Sequence, residues 1–374
     1  DAYNVAVGYN AGLYVTTGTA NTIIGSFAGD ALTTGARNTV LGYGALSGED
    51  SYGRNVAIGY EALKDLNAGA DAYNVAIGYA AGENISTGVE NVIVGGLAGD
   101  AMTTGSYNAV LGTSALGVNQ LSNCNVAIGN SALANHNLAV ASAGYNVAVG
   151  FNAGVVVTTG INNVLVGALA GDALTTGSYN VAIGKNALSD EDAHGQNVAI
   201  GYQALYHLDA GADAHDIAIG IDAGISMTTG AENILMGAFA GDALTTGSYN
   251  VAIGQHALGT EDGNGRNVAI GHQALKTLNA GTDAYNVAVG YSAGVAMTTG
   301  VENTLVGGSA GDSITGGMES TFIGYDAGSV TTDSERCTFI GAESGNALNY
   351  SGENLTCLGY NAQPSAVAID DELS

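Results

Sequence analysis

The chain has 374 residues, and 34 acidic against seven basic residues give it a formal net charge of −27. Phosphate backbones and anionic membrane surfaces are bound by clustered cations, so this balance argues against nucleic-acid and membrane-surface partners. Hydrophobic residues make up 46% of the chain, which is enough to fill a core. No run of 18 apolar residues is present, so we predict no membrane insertion.

A five-residue motif, Asn-Val-Ala-Ile-Gly, organises the whole chain. It first appears in variant form at residues 4–8 and occurs 21 times in all, most often every 17 residues, with a longer interval after every fourth copy. A short fixed period of this kind is typical of a solenoid, in which each repeat forms one rung and buries its core against its neighbours. The repeat therefore predicts an all-β β-solenoid of about 21 rungs.

Each rung begins with a strand. In segments such as 5–7 and 181–183 the β-branched residues are two apart and share one face, while alanine and the preceding asparagine share the other. Strands that are apolar on both faces are typical of parallel sheets, so we expect both faces to be buried. Seventeen residues suffice for a coil of two short strands and two turns.

Asparagine precedes the strand in 17 rungs, and Asp216 replaces it in one. If the rungs stack in register, these amides can form hydrogen bonds from rung to rung and satisfy groups that would otherwise be buried without a partner. We predict this structural ladder for the asparagine column that begins with Asn4, Asn21, Asn38, Asn55, Asn74, Asn91, Asn108 and Asn125.

Four rungs make a larger block of about 70 residues. Blocks begin near residues 1, 71, 143, 213 and 283, and in the first four blocks, down to Leu275, two rungs with glycine after a recurrent alanine precede two rungs with leucine there. The pattern loosens after Gly316, where Phe322 and Phe339 take the alanine position. The sequence therefore predicts a regular shaft over 1–316 and divergent C-terminal rungs with an exit segment over 317–374.

One aspartate recurs in the second rung of every block. A carboxylate at this fixed place is a candidate ligand for Ca²⁺, which takes six to eight oxygen ligands, and Ca²⁺ is the only cofactor that the sequence suggests. The alternative is that each aspartate stabilises its own turn through local hydrogen bonds. The residues concerned are Asp30, Asp100, Asp172, Asp242 and Asp312.

Catalytic constellations are not predicted. The six histidines lie in variable positions and do not recur with a serine or cysteine partner. Paired acids at 49–50, 190–192 and 261–262 could serve a polysaccharide-cleaving enzyme, but we expect them to form a solvated edge on surface turns. We therefore predict that the protein is not an enzyme.

The rung Asn197-Val198-Ala199-Ile200-Gly201-Tyr202-Gln203-Ala204-Leu205 resembles the 17-residue repeats of phage tail-fibre proteins. It is also similar to the shorter Val-Ala-Ile-Gly repeats in the heads of trimeric autotransporter adhesins, which form trimeric β-rolls. The resemblance implies a parallel homotrimeric rod in a virion tail fibre, with a host cell-surface receptor or polysaccharide and other fibre or tail proteins as partners. The alternative is an adhesin head on a bacterial cell surface.

Overall fold

A computed structural model describes residues 2–346 and 353–364. Within them the fold is all-β, a parallel β-solenoid of about 20 turns without a helix, as the repeat predicts. The chain divides into two compact units, Asp1–Asn186 and Ala187–Ser374. Part of the predicted exit segment after residue 316 lies outside the described residues, and the boundary at 316 stays a prediction.

The first unit contains 11 three-residue strands, each paired in parallel and in register with the next. They are β1 (Val5–Val7), β2 (Thr22–Ile24), β3 (Thr39–Leu41), β4 (Val56–Ile58), β5 (Val75–Ile77), β6 (Val92–Val94), β7 (Ala109–Leu111), β8 (Val126–Ile128), β9 (Val147–Val149), β10 (Val164–Val166) and β11 (Val181–Ile183).

The second unit contains ten strands with the same parallel pairing between neighbours. They are β12 (Val198–Ile200), β13 (Ile217–Ile219), β14 (Ile234–Met236), β15 (Val251–Ile253), β16 (Val268–Ile270), β17 (Val287–Val289), β18 (Thr304–Val306), β19 (Thr321–Ile323), β20 (Thr338–Ile340) and β21 (Thr356–Leu358).

A rung has one regular strand, not two. The rest of each described rung is a series of tight turns, and extended pairing elsewhere is limited to isolated bridges such as Asn123 with Ala143 and Val301 with Met318. Seventeen residues close the coil because several of them adopt left-handed backbone angles, for example Leu46 at φ 50° and Leu63 at φ 50°. Such angles turn the chain within a few residues.

The glycine that ends each strand is required by the backbone. Gly59 has φ +141°, a value that side-chain-bearing residues rarely adopt, and a Cβ atom built there would lie 2.0 Å from the carbonyl oxygen of Gly78 in the next rung. The same close approach occurs between Gly42 and Gly59. The marker glycines therefore recur because neighbouring rungs stack backbone against backbone at this point.

The core is filled by residues of complementary size. The middle residue of each strand points inward, and where it is large, as at Ile23 or Leu165, the residue after the recurrent alanine is glycine. The large side chain also fills space in the rung before it, where the middle residue is alanine: a Cβ atom on Gly154 of that rung would lie only 2.6 Å from a methyl carbon of Leu165. Where the middle residue is Ala57, Leu63 fills the space and is fully buried. This size matching explains why the rungs alternate in pairs.

Candidate functional site

The asparagine column forms a continuous ladder inside the solenoid. In the first unit, the backbone N–H of Asn91 donates to Oδ1 of Asn74 at 2.9 Å, and its side-chain amide donates to Gly105 at 2.9 Å. Equivalent backbone-to-Oδ1 bonds of 2.9 to 3.1 Å join the eight asparagines from Asn4 to Asn125 rung by rung. Since these groups are buried, the ladder satisfies donors that water cannot reach.

The recurrent aspartates lie too far apart to act together. Within the first unit Asp30, Asp100 and Asp172 are four rungs apart, which at the usual strand spacing is about 19 Å, so no two of them can share an ion. Burial raises the pKa of Asp30, while its own N–H and that of Ala31 bond to the carboxylate and oppose the rise. This geometry agrees with a turn-stabilising role, and calcium binding stays a prediction.

In the second unit Asp242 and Asp312 have the same place in their rungs. Burial again is the main cause of their raised pKa, and each keeps one carboxylate oxygen that is buried without a hydrogen-bond partner. Neither belongs to a group of three or more metal-ligating side chains among the residues that the structure describes.

The expectation of a solvated acidic edge is wrong for three glutamates. Glu49, Glu191 and Glu261 are fully buried, because they occupy the inward position that holds Leu32 and Leu66 in the rungs around Glu49. Glu49 is held by backbone N–H groups of Ser51 and Tyr52 at 3.2 and 3.0 Å. Burial still raises the pKa of all three carboxyls above the usual value.

In the second block, the rungs equivalent to those of Glu49 and Leu66 contain a neutral polar cluster. Asn119 replaces the glutamate, and His136 follows it one rung later, where Leu66 stands in the first block. Nε2 of His136 lies 2.9 Å from Oγ of Ser122, whose oxygen also accepts a bond from Asn125 at 2.9 Å. Burial lowers the pKa of His136 to about 4, so the imidazole is neutral at pH 7.

The face of each strand opposite the ladder is half-buried to exposed in the single chain. We call the first and third residues of every strand the outer strand face; these residues are Val, Ile, Leu, Thr, Ala or Met, and none is charged. Leu41, Val92 and Leu111 are 45%, 49% and 48% exposed. The expectation that both strand faces are buried therefore holds only for the inner face of this chain.

Half-buried and exposed aromatic rings from successive rungs contact one another in the first unit. Tyr43 and Tyr60 stack with ring centroids 5.3 Å apart, and Tyr60 stacks on Tyr79 at 5.4 Å. Phe27 and Tyr9 extend the series through edge-on contacts. We call these five residues the aromatic stripe. Stacked rings with one exposed side offer an apolar surface with polar hydroxyl edges, which suits protein and polysaccharide contacts.

The sequence did not lead us to predict the burial of these glutamates, because each stands beside an aspartate in a polar turn. The signal was present in the column of residues seven positions after the marker glycine. That column reads Val15, Leu32, Glu49, Leu66 in the first block and is apolar in most rungs. A charged residue in an apolar column is a candidate buried group, whatever its neighbours in sequence are.

Comparison of the chain with protein-family models and with curated proteins gives no match. Within residues 2–346 and 353–364 no helix is long and apolar enough to cross a membrane.

Proposed function

We propose that the chain is the structural shaft of a homotrimeric fibre that holds or contributes to a receptor-binding element, as in a phage tail fibre attaching to a bacterial surface. The observation that carries the proposal is the uncovered outer strand face. Its uncharged, mostly apolar side chains repeat at every rung, and an exposed apolar surface that continues over many rungs is typical of an interaction site.

Repetition makes the outer strand face suited to self-association. The same residue types occupy the same two positions from rung to rung, as in Val75 and Ile77 followed by Val92 and Val94. Copies aligned in parallel would present matching rows to one another, and a closed cyclic arrangement buries every copy equally. Three copies around one axis would cover the face without leaving an open edge.

The distribution of charge also favours the outer strand face as the surface for self-association. With a net charge of −27 per chain, copies repel one another wherever carboxylates approach closely. The outer strand face has no charged residue, so it can be buried without placing like charges in contact. The acidic turns then face solvent and keep the assembly soluble.

The aromatic stripe supports a contact with the host surface. Tyr9, Tyr60 and Tyr79 are 70%, 44% and 59% exposed, and each comes two residues after the end of a strand. Rings of this kind bind sugar rings through their apolar faces while the hydroxyl groups form hydrogen bonds. The proposal assigns the chain binding without catalysis, so incubation with capsular polysaccharide should release no reducing ends.

Binding to cells tests the attachment role. Fluorescently labelled chain should adsorb to the cells of a host strain within a panel of bacteria, and free chain should compete with virions for adsorption to that strain. The matched control is L41E with I77E and L111E, which places charges on the outer strand face and should prevent trimer formation. Immunogold labelling of the tail would support a phage fibre, whereas labelling of bacterial cells alone would support an adhesin and contradict the phage assignment.

A further inference from the structure

One level of the second unit brings four metal-ligating side chains together. Glu191, Asp192, His194 and Asp209 each offer one ligand atom, and these atoms all lie within 4.8 Å of one another. It is the one such group within residues 2–346 and 353–364. None of the four belongs to the outer strand face or to the recurrent aspartates.

Glu191 is fixed before any ligand arrives. Its side chain is fully buried, and Oε1 accepts a hydrogen bond from the backbone N–H of His194 at 3.0 Å. Oε2 is buried and has no hydrogen-bond partner. The N–H of Ala210 lies close enough to lower the pKa of this carboxyl but does not reach hydrogen-bond geometry. A buried carboxylate oxygen without a donor is costly and calls for a proton or a cation.

The equivalent glutamates provide an internal comparison. Oε2 of Glu49 accepts from the N–H of Ala68 at 3.4 Å, and Oε2 of Glu261 accepts from Ala280 at 3.4 Å. Both of those carboxylates are thus satisfied by the backbone. Only Glu191 combines the same buried position with an oxygen that has no partner.

The neighbours of Glu191 also differ from those of its equivalents. The place of His194 is held by Tyr52 in the first block and Asn264 in the fourth, and the place of Asp209 is held by Asn67 and Asn279. An imidazole and an additional carboxylate have therefore replaced neutral non-ligating groups at this level alone. The added Asp209 brings three carboxylates within 4.8 Å of one another, and a cation bound among them would offset their mutual repulsion.

We propose that Glu191, Asp192, His194 and Asp209 bind one divalent transition-metal ion, with Zn²⁺ the best fit. One imidazole nitrogen and three carboxylate oxygens suit Zn²⁺, whereas Ca²⁺ prefers an all-oxygen shell of six to eight ligands. Tetrahedral Zn²⁺ ligands lie about 3.3 Å apart, given bonds of about 2.0 Å. Asp192 and Asp209 are exposed and Glu191 is buried, and the four ligand atoms would move from within 4.8 Å of one another toward this distance when the ion binds.

Zinc titration of the full chain, made without a histidine tag and stripped with a chelator, tests the site. A chromophoric chelator competing for Zn²⁺ gives the stoichiometry and affinity. We expect one tight Zn²⁺ per chain, and a loss of affinity of at least about tenfold in H194N and in D209N, because each change removes a ligand. These variants carry the residues found at Asn264, Asn67 and Asn279, so the turn should keep its fold, which circular dichroism checks.

Two further variants serve as controls for the zinc titration. H207N alters the nearby exposed pair in which Nδ1 of His207 lies 2.8 Å from Oδ2 of Asp190, and it should leave zinc affinity unchanged. N264H combined with N279D copies the ligand set onto the level of Glu261 and should raise the stoichiometry to two. The proposal would be overturned if the parent chain bound no zinc, if H194N and D209N bound zinc as tightly as the parent chain, or if H207N lost zinc binding.

Discussion

Oδ1 of Asp216 accepts two hydrogen bonds from Asn233, one from the backbone N–H at 2.8 Å and one from the side-chain amide at 3.1 Å. Asp216 thus takes an asparagine's place in the ladder. Its Oδ2 lies where an asparagine would have its side-chain amide nitrogen. In the next rung that nitrogen, Nδ2 of Asn233, donates a hydrogen bond to the carbonyl oxygen of Gly247 at 3.0 Å. Oδ2 has no partner, so only a protonated acid can make the equivalent donation.

Asp216 should make the second unit less stable as the pH rises. Desolvation, with smaller contributions from the charges of Glu191 and Glu232, raises the pKa of Asp216 from 3.8 to about 7. The folded state therefore holds a proton between about pH 4 and 7 that the unfolded state has lost, so stability is full below pH 4 and falls until about pH 7, by about 4 kcal/mol at most.

D216N tests this dependence. Asparagine restores the amide donor and does not titrate, so the variant should be more stable than the parent chain at pH 8, with a smaller difference at pH 4. Urea unfolding midpoints of both chains at the two pH values measure the effect. An equal stability difference at both pH values would show that Asp216 is ionised in the folded chain.

His136 should give the first unit the opposite dependence. Its pKa is lowered by burial from 6.5 to about 4, so the unfolded state binds the proton first as the pH falls. Stability is therefore full above about pH 6.5 and is lost between about pH 6.5 and 4, by about 3 kcal/mol at most. H136L, which introduces the residue found at Leu66, should remove this acid-dependent loss in unfolding measurements at pH 4.5 and 7.5. Parallel losses in both chains would contradict the assignment.

Removing one amide from the ladder should destabilise the solenoid locally. N91A deletes the donor to Gly105 and the acceptor of the Asn108 N–H at 3.0 Å, and it leaves both groups buried. We expect a cost of about 2–4 kcal/mol, since each unsatisfied buried group costs about 1–3 kcal/mol. N67A changes an exposed asparagine and should cost less than about 0.5 kcal/mol. Hydrogen exchange of the neighbouring rungs checks the difference, and equal protection in both variants would refute the role of the ladder.

Overfilling the inner face should disturb the rungs more than the same change in a turn. Ala57 is fully buried between Val40 and Ala76 in adjacent strands, and Leu63 already fills the space beside it. A57L should cost about 1–3 kcal/mol through overpacking and reduce assembly. A70L places the same side chain at an exposed turn position and should have no effect. Thermal unfolding and solution mass of the two variants provide the comparison, with identical behaviour as the contradicting result.

Much of this fold can be predicted from the periodicity of the sequence. The spacing of the marker glycines predicts stacked rungs, and the regular placement of Asn55 and Ala57 two residues apart predicts that both lie on one face of the strand. The repeat length also predicts the stacking partner of each residue, because equivalent residues of neighbouring rungs must meet. The same reasoning assigns Asp216 to the ladder.

The parts that could not be predicted depend on the path of the turns. Glu49 and Asp50 are adjacent in sequence, yet only the glutamate is fully buried, since the turn directs one side chain inward and the other outward. The inward direction depends on left-handed backbone angles at residues such as Leu46, which no residue preference favours. The meeting of Glu191 with Asp209 likewise requires the shape of two successive turns, not a motif in either one.

The solution mass of the purified chain, measured by light scattering across a range of concentrations, tests the central claim most directly. A fibre shaft assembled through the outer strand face predicts about three times the chain mass of 36.9 kDa, and the mass of one chain for L41E with I77E and L111E. A parent chain that stays at 36.9 kDa at every concentration would contradict the account, because its outer strand face would then be stable in water without a partner.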